Sequence, residues 1–532
     1  MALQWLLLLS VICSTLLLVD VTHSSAQGVR KAYIVYMGDK PKNEVPLSPL
    51  HLNMLQDVVD SSNIDDIEHE ALLLRSYKRS FNGFAAMLTE QEAQKMAGMD
   101  GVVSVFPNGI WPESDSFSDV GFGPPPKKWK GKCQGNGNST CNNKIIGAQY
   151  YLASRSFEDE IESPRDIAGH GTHCASTAAG NLVSKASLSG LGLGTARGGV
   201  PSAHIAVYKA CWSSDGNWDE IDIIAAFDDA IADGVDIISL SAGGSIPEDY
   251  FKDGYAIGSF HAAREGILVS TAAGNEGPRP KSVSNHAPWQ LSVAATTINR
   301  QFITKVQLGN GKIYEGLLPN IYDLEGKFYP LIYGGDAPNT TAGVDTSVSR
   351  FCSQGSIDPN LIKGKIVLCD SPQDGAGDGA ILGGAAGVVL TGKKVDDDAL
   401  GPLSVPASQV GLEENSNIYK YIKSTRNPTA TIWKSEEVND VLAPYVPYYS
   451  SRGPNPAIPN VLKPDLAAPG SYILAAYSPS DGGKLAGYNF DTGTSMACPH
   501  ATAVAAYIKS FHPKWSPAAI QSALMTTAKP MS

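Results

Sequence analysis

Beyond residue 26 this chain of 532 residues holds no apolar run long enough to cross a bilayer. It has no excess of positive charge either, because 41 Lys and Arg stand against 53 Asp and Glu, a net charge of -12. No basic field exists to gather phosphates, so nucleic acid and anionic membranes are not expected partners. Internal repeats and low-complexity tracts are absent. Cysteine is scarce, with eight in the whole chain. What remains is an ordinary globular composition, 43% hydrophobic and 18% charged, long enough for two to four domains with at least one large core.

The one long apolar run, Trp5 to Val21, is followed by Ser24-Ser25-Ala26, small residues that suit cleavage before Gln27. Residues 1–26 are therefore expected to be a signal peptide; a membrane anchor is the alternative, since Lys and Arg are missing from the extreme N-terminus. With Cys13 gone, seven cysteines stay in a compartment where disulfides persist, and an odd number leaves at least one unpaired. Cys133 and Cys141 bracket a short polar loop, and Cys352 and Cys369 flank a turn and a strand, so these two pairs are expected to be disulfides. Cys174 and Cys498 lie in small-residue helical runs and are expected as buried thiols. Asn138 and Asn339 head Asn-X-Ser/Thr sequons in loop-like contexts, which export would make glycosylation sites.

Residues 32–106 read as strand AYIVYMG, a helical segment around His51 to Val59, strand LRSYKRSFNGFAAMLT, helix EQEAQKMAG and strand VVSVF, an order that predicts a small α+β module. From about Lys144 strands alternate with helices: AHIAVYKAC, DEIDIIAAFDDAIADG, VDIISLSAGG, YAIGSFHAAREG, ILVSTAAGN. Such alternation predicts a doubly wound, mostly parallel α/β sheet covered on both faces. Between about 300 and 440 short β-rich runs such as KGKIVLCD and AAGVVL take over, with Gly-rich connections, as in an insertion. The α/β character returns at SSRGPNP and closes with two helices, the second capped by Ser516 with Pro517 at its first position.

Three short motifs carry candidate chemistry: GHGTHCAS with His170 and His173, AAGNEGP with Asn275, and GTSMACPH with Ser495. A serine hydroxyl is a poor nucleophile until a positioned imidazole accepts its proton, and the resulting oxyanion needs donors fixed in advance. One Ser, one His and one Asn among small residues meet both needs. Singly the motifs are weaker. Two histidines three apart without a zincin Glu or a third ligand do not make a zinc site, so no metal or other cofactor is expected. GTSMA read as the nucleophile elbow of an α/β-hydrolase would need an Asp and a His after it, and few residues follow Ser495. Asn275 alone would more often cap a loop.

Taken together, His170, Asn275 and Ser495 in that order, with DGVDIISLSAGG, SSRGPNP and KPDLAAPG between them, resemble the plant subtilisin-like serine proteases, the subtilases of the cucumisin type. The resemblance runs almost end to end, from AYIVYMG to SPAAIQSALMTTAKPM. It implies His170 as general base, Ser495 as nucleophile and Asn275 as oxyanion donor beside the Ser495 amide. It also implies that Ser239, Leu240, Ser241, Ala242 and Gly243, with Thr271, Ala272, Ala273 and Gly274, wall the primary specificity pocket, and that His173 is structural. By the same resemblance residues 27–107 are an inhibitory propeptide, 108–310 and 439–532 the two parts of the peptidase domain, and 311–438 an inserted protease-associated domain. The implied product is a secreted, extracellular endopeptidase acting on peptides and proteins, with its own propeptide as intramolecular inhibitor.

The sequence departs from that family where the aspartate is due. A pattern of the type D-T-G-I-W-P-E-S is expected, and the chain reads VVSVFPNGIWPES, with Pro107 and Asn108 in the places of the Asp and Thr. A strand leading to the Asp is expected to be missing with it. Asp115, Asp119 and Asp166 are nearby carboxylates read as surface or loop residues rather than substitutes. A C-terminal fibronectin-like domain, usual in the family, is also expected to be missing.

Overall fold

The structure, a computed structural model, describes residues 30–40, 46–59, 71–89, 92, 109–134, 140–152, 162–212, 220–244, 248–370, 377–392, 401–479 and 487–531. The leader, Asn138 and the run Val102–Phe106 lie outside them. The chain divides into two compact units between Val103 and Ser104.

In the first unit, strand β1 (Lys31–Asp39), helix α1 (Leu47–Val58) and strands β2 (Leu73–Tyr77) and β3 (Phe81–Leu88) form an antiparallel sheet of order β1-β3-β2 with the helix packed on it. The run expected as one strand, LRSYKRSFNGFAAMLT, is a hairpin: Lys78-Arg79-Ser80 reverse the chain, and a single strand of that length would exceed what twisted sheets commonly hold. Val35, Leu55, Phe84 and Leu88 fill the core, and buried His51 ties α1 to both later strands through Ser76 Oγ at 2.5 Å and Asn82 Oδ1 at 2.7 Å.

The second unit opens with strand β4 (Ile145–Tyr150), helix α2 (His170–Ala179), the hairpin β5 (Val183–Leu188) and β6 (Leu191–Ala196), and strand β7 (Ile205–Lys209). Helix α3 (Glu220–Asp233), strand β8 (Ile237–Leu240), helix α4 (Gly254–Arg264) and strands β9 (Leu268–Ala272) and β10 (Leu291–Thr296) follow, as the alternating pattern predicts. A mixed eight-stranded sheet then occupies Arg300 to Asn439: β11 (Arg300–Leu308), β12 (Ile313–Leu317), β13 (Tyr329–Tyr333), β14 (Ile366–Cys369), β15 (Gly387–Thr391), β16 (Ala407–Val410), β17 (Thr429–Ile432) and β18 (Glu436–Asn439), with helix α5 (Leu412–Ser424) on it. Its order is β12-β11-β17-β13-β14-β15-β16, with β18 on β11. The chain returns through β19 (Leu466–Pro469), β20 (Ile473–Ala476) and β21 (Tyr488–Asp491) to helices α6 (Thr494–Phe511) and α7 (Pro517–Thr527).

Among the described residues the parallel sheet falls into a four-stranded piece, β19-β10-β9-β8, and a separate pair, β4-β7, with no ladder between β7 and β8. In the larger piece β9 and β10 are buried at every residue, and the alanine-rich α6 packs on them through Ala497 and Ala501 against Leu268 and Val293. At the break Ile205, Ala206, Ile237 and Ile238 are only half-buried, although three helices, α2, α3 and α6, line the same region.

Cys133 and Cys141 are disulfide-bonded at a Cα separation of 6.2 Å, and Cys352 and Cys369 at 5.8 Å; Cys174, Cys211 and Cys498 are free. Among the described residues no helix is long and apolar enough to cross a membrane.

Candidate active site

Helix α2 starts at His170 because the loop before it is tied down. Asp166 Oδ1 accepts the amides of Ala168 at 3.0 Å and Gly169 at 2.9 Å, and Oδ2 accepts the amide and hydroxyl of Thr172 at 2.8 and 2.7 Å. A carboxylate there satisfies orphan donors of the first turn and complements its dipole. Gly169 has φ +95°, a conformation that would strain any residue with a Cβ, and it turns the chain into the helix. Asp166 is thus a buried cap in the wall of the site, a loop residue as expected but not a surface one.

Ser495 lies in the first turn of α6, and the same turn orients Asn275. Thr494 donates from both its amide and its hydroxyl to Asn275 Oδ1, each at 2.9 Å, and the Gly274 amide donates to Thr494 Oγ1 at 3.2 Å. With the oxygen so fixed, the amide's Nδ2 is the group left to face the cleft. A Cβ placed on Gly493 would stand 3.2 Å from Asn275 Nδ2 and 3.6 Å from the Ser495 nitrogen. The glycine therefore keeps open a space that two N–H donors border.

His170, Asn275 and Ser495, which 325 residues of chain separate at their extremes (495 minus 170), line one cavity of about 340 Å³. The Ser495 hydroxyl donates to the Ser241 carbonyl at 3.3 Å, and the Ser241 hydroxyl donates back to the Ser495 carbonyl at 2.6 Å. Cys174 Sγ sits 4.0 Å from His170 Nε2 and 3.4 Å from the Ser495 carbonyl, so the thiol bridges the two helices. The sulfur beside the ring raises the His170 pKa above its ordinary value, and Asp491 and Asp166 add to this against the opposing effect of burial. His173 is buried with Nε2 2.8 Å from the Ile473 carbonyl, and burial pushes its pKa down, so it packs as a neutral ring. Among the described residues no cluster of His, Cys, Asp and Glu could hold a metal ion.

The nine residues expected to wall a specificity pocket do not all border this cavity. Ser241, Ala242, Gly243, Ala272 and Gly274 border the cavity, while Ser239 and Leu240 face a different one. Thr271 and Ala273 are buried in the sheet, where Thr271 Oγ1 donates to the Leu291 carbonyl at 3.3 Å and the Ala273 amide to that of Val293 at 2.9 Å. Sequence reasoning missed the capping by Asp166 and the placement of Cys174. Their signals were present, an acidic residue just ahead of a helix and a cysteine one turn after His170. Asn339 caps a short turn, its Oδ1 accepting the Thr341 hydroxyl at 2.6 Å.

Residues 102–531 match a family model described as the Subtilase family, and residues 32–112 one described as Peptidase inhibitor I9. Two relatives from Arabidopsis thaliana illustrate the similarity. Subtilisin-like protease SBT4.6 is 48% identical, covering 94% of this chain and 73% of its own, and Subtilisin-like protease SBT4.3 is 46% identical, covering 96% and 74%. Among solved structures the chain is similar to Sphericase at 18% identity and a TM-score of 0.38, over 80% of this chain and 82% of that one.

Proposed function

This chain belongs to the subtilase family, with an I9-type inhibitor segment ahead of its peptidase part, and from that premise we propose a secreted endopeptidase precursor that forms its acyl-enzyme on Ser495. His170 takes the hydroxyl proton as Ser495 attacks a peptide carbonyl, then gives it to the leaving amine. Asn275 Nδ2 and the Ser495 amide receive the oxyanion in the space that Gly493 leaves open. That convergence, inside a cavity His170 also lines, is the observation that carries the reading. In the resting chain the Ser495 hydroxyl donates to the Ser241 carbonyl, so its proton must swing away from that carbonyl before the imidazole can take it.

The finer parts of the reading rest on the resemblance to plant subtilases of the cucumisin type. Residues 27–107 act as an intramolecular inhibitor removed on maturation, and residues 311–438, most of the eight-stranded sheet with its buried disulfide, serve as a protease-associated domain. The leader and the sequons at Asn138 and Asn339 support an extracellular glycoprotein. No metal or other cofactor is called for. Because Pro107 and Asn108 stand where the family has Asp and Thr, the imidazole works without the usual carboxylate partner. In subtilisin, loss of that Asp alone lowers kcat by ~3 × 10⁴, against ~2 × 10⁶ for the Ser or His, so slow turnover is expected.

A second reading, favoured by the split sheet and the inward-turned hydroxyl, is a non-catalytic product that only binds peptides or protease partners. A fluorophosphonate probe separates the two. The enzyme reading predicts slow labelling that Ser495→Ala abolishes and His170→Ala strongly reduces, whereas no label on the folded parent chain leaves the binding reading alone.

A further inference from the structure

Asn285 ties two walls of the catalytic cavity together. Its Nδ2 donates to the Ala242 carbonyl at 2.6 Å and to the Ala272 carbonyl at 2.7 Å, and both alanines border that cavity, as does Ser284. A Cβ placed on Gly243 would stand 2.8 Å from Asn285 Nδ2 and 2.8 Å from Ser284 Oγ, so the segment after β8 lies directly on this pair. The next residue along the chain is a histidine that the mechanism does not use. His286 is fully buried, and neither its Nδ1 nor its Nε2 has a hydrogen-bond partner. A buried imidazole ordinarily finds a partner for at least one ring nitrogen, as His173 does in the Ile473 carbonyl.

The ring sits in a small aromatic cluster. Tyr250 meets it edge-on with ring centroids 5.1 Å apart and packs in turn on Trp289, and Ala256 and Ala287 complete the cluster. The backbone there is clamped, because Asn455 Nδ2 donates to the His286 carbonyl at 2.8 Å and to the Tyr250 hydroxyl at 3.0 Å. The charges that act on the ring come from two segments: exposed Asp249, next to Tyr250, and buried Lys463, which is ion-paired with Asp465 at 2.6 Å. Burial pushes the His286 pKa down to about 4, with the Lys463 ammonium adding to this and Asp249 opposing it. A proton on this ring would make an imidazolium with two donors and no acceptor in an apolar cluster, a cost relieved when the ring turns out to water.

We propose that His286 is an acid-sensitive latch on the catalytic cavity: the neutral ring packed against Tyr250 keeps Asn285 between the Ala242 and Ala272 carbonyls, and protonation expels the ring toward Asp249 and releases that wall. The expelled ring titrates near its ordinary value of 6.5 and the packed ring near 4, so the packed form is favoured in full above pH 6.5 and loses ground as pH falls from there toward 4. The closed-to-open ratio should fall on the order of 100-fold between about pH 7 and about pH 4. The latch stands on the packing alone, while a loss of peptide binding on opening rests on the serine-peptidase reading.

The test is amide hydrogen exchange on the full chain across this pH range, with rates corrected for the pH dependence of the chemical step, and it needs no catalytic turnover. The amides of Ser282, Ser284 and Gln290 are hydrogen-bonded, so residues 282–290 report on the wall. In the parent their protection is expected to fall by roughly 10-fold or more between about pH 7 and about pH 5, while that of Ile366–Cys369 stays constant. His286→Leu and His286→Val put an uncharged side chain in the cluster and are expected to hold protection of residues 282–290 level over the same range. That contrast separates this ring from the other buried histidines, among them His51 and His173. Constant protection of residues 282–290 in the parent, an equal loss in a folded variant, or a loss shared by Ile366–Cys369 would overturn the latch. The parent's own profile decides even where a variant fails to fold.

Discussion

In the sheet from β11 to β18 every interior strand finds a neighbour on each side, whereas among the described residues the sheet that carries the catalytic cavity stops at β7 and resumes at β8. The difference shows in burial. Strands β14 and β15 are buried at every residue, while β8 keeps one buried residue, Leu240. Both regions draw on β-branched residues, so strand-forming propensity does not distinguish them. The break also divides the machinery. Asn275 and Ser495 hang from the intact half through β9 and α6, and His170 is held to that half because α2 packs on α6.

The contrast can be broken or sharpened by experiment, and the largest effect should come from repair. Inserting an apolar strand ending in Asp-Thr between Asn108 and Gly109 is expected to raise kcat on a peptide substrate by up to ~10⁴, the size of the Asp effect in subtilisin; an unchanged rate on a folded product would dissociate the break from the chemistry. Asn275→Ala removes a donor from the intact half and should lower whatever kcat exists by ~10²–10³ with KM little changed. Steady-state kinetics on one peptide checks both.

Stability should separate the two sheets next. Leu368 is fully buried in β14, and Leu368→Ala is expected to destabilise by about 2–5 kcal/mol in denaturant melts. Ile238→Ala, at the half-buried edge of the break, should lose only about 1 kcal/mol. The smallest effect concerns pH. His170 must be neutral to act as a base, and the sulfur of Cys174 raises its pKa, so activity is lost as pH falls through that raised value. Cys174→Ser should move the acid limb of the pH–kcat profile to lower pH, and an unmoved limb would remove the thiol from the account.

Much of this was legible in the residues themselves. Alternating strand and helix runs placed β7, α3, β8, α4 and β9, since each has an unambiguous period and a polar boundary. The motifs around His170, Asn275 and Ser495 named the cavity's lining because small residues must surround a site that a backbone approaches. The hairpin at Lys78–Ser80 was not legible, since pairing is decided between strands and a run of strand-forming residues does not mark where the chain reverses. Thr271 to Gly274 separated for a related reason, because successive side chains along a strand face opposite ways, and Ala272 and Gly274 border the cavity while Thr271 and Ala273 do not.

The central claim, a hydrolase site assembled at the edge of a divided sheet, is tested most directly by amide hydrogen exchange on the unliganded full chain. The account predicts that the amides of Ile237–Leu240 and Ile205–Lys209 exchange orders of magnitude faster than those of Ile366–Cys369 and Gly387–Thr391. Equal, strong protection in all four segments would contradict it.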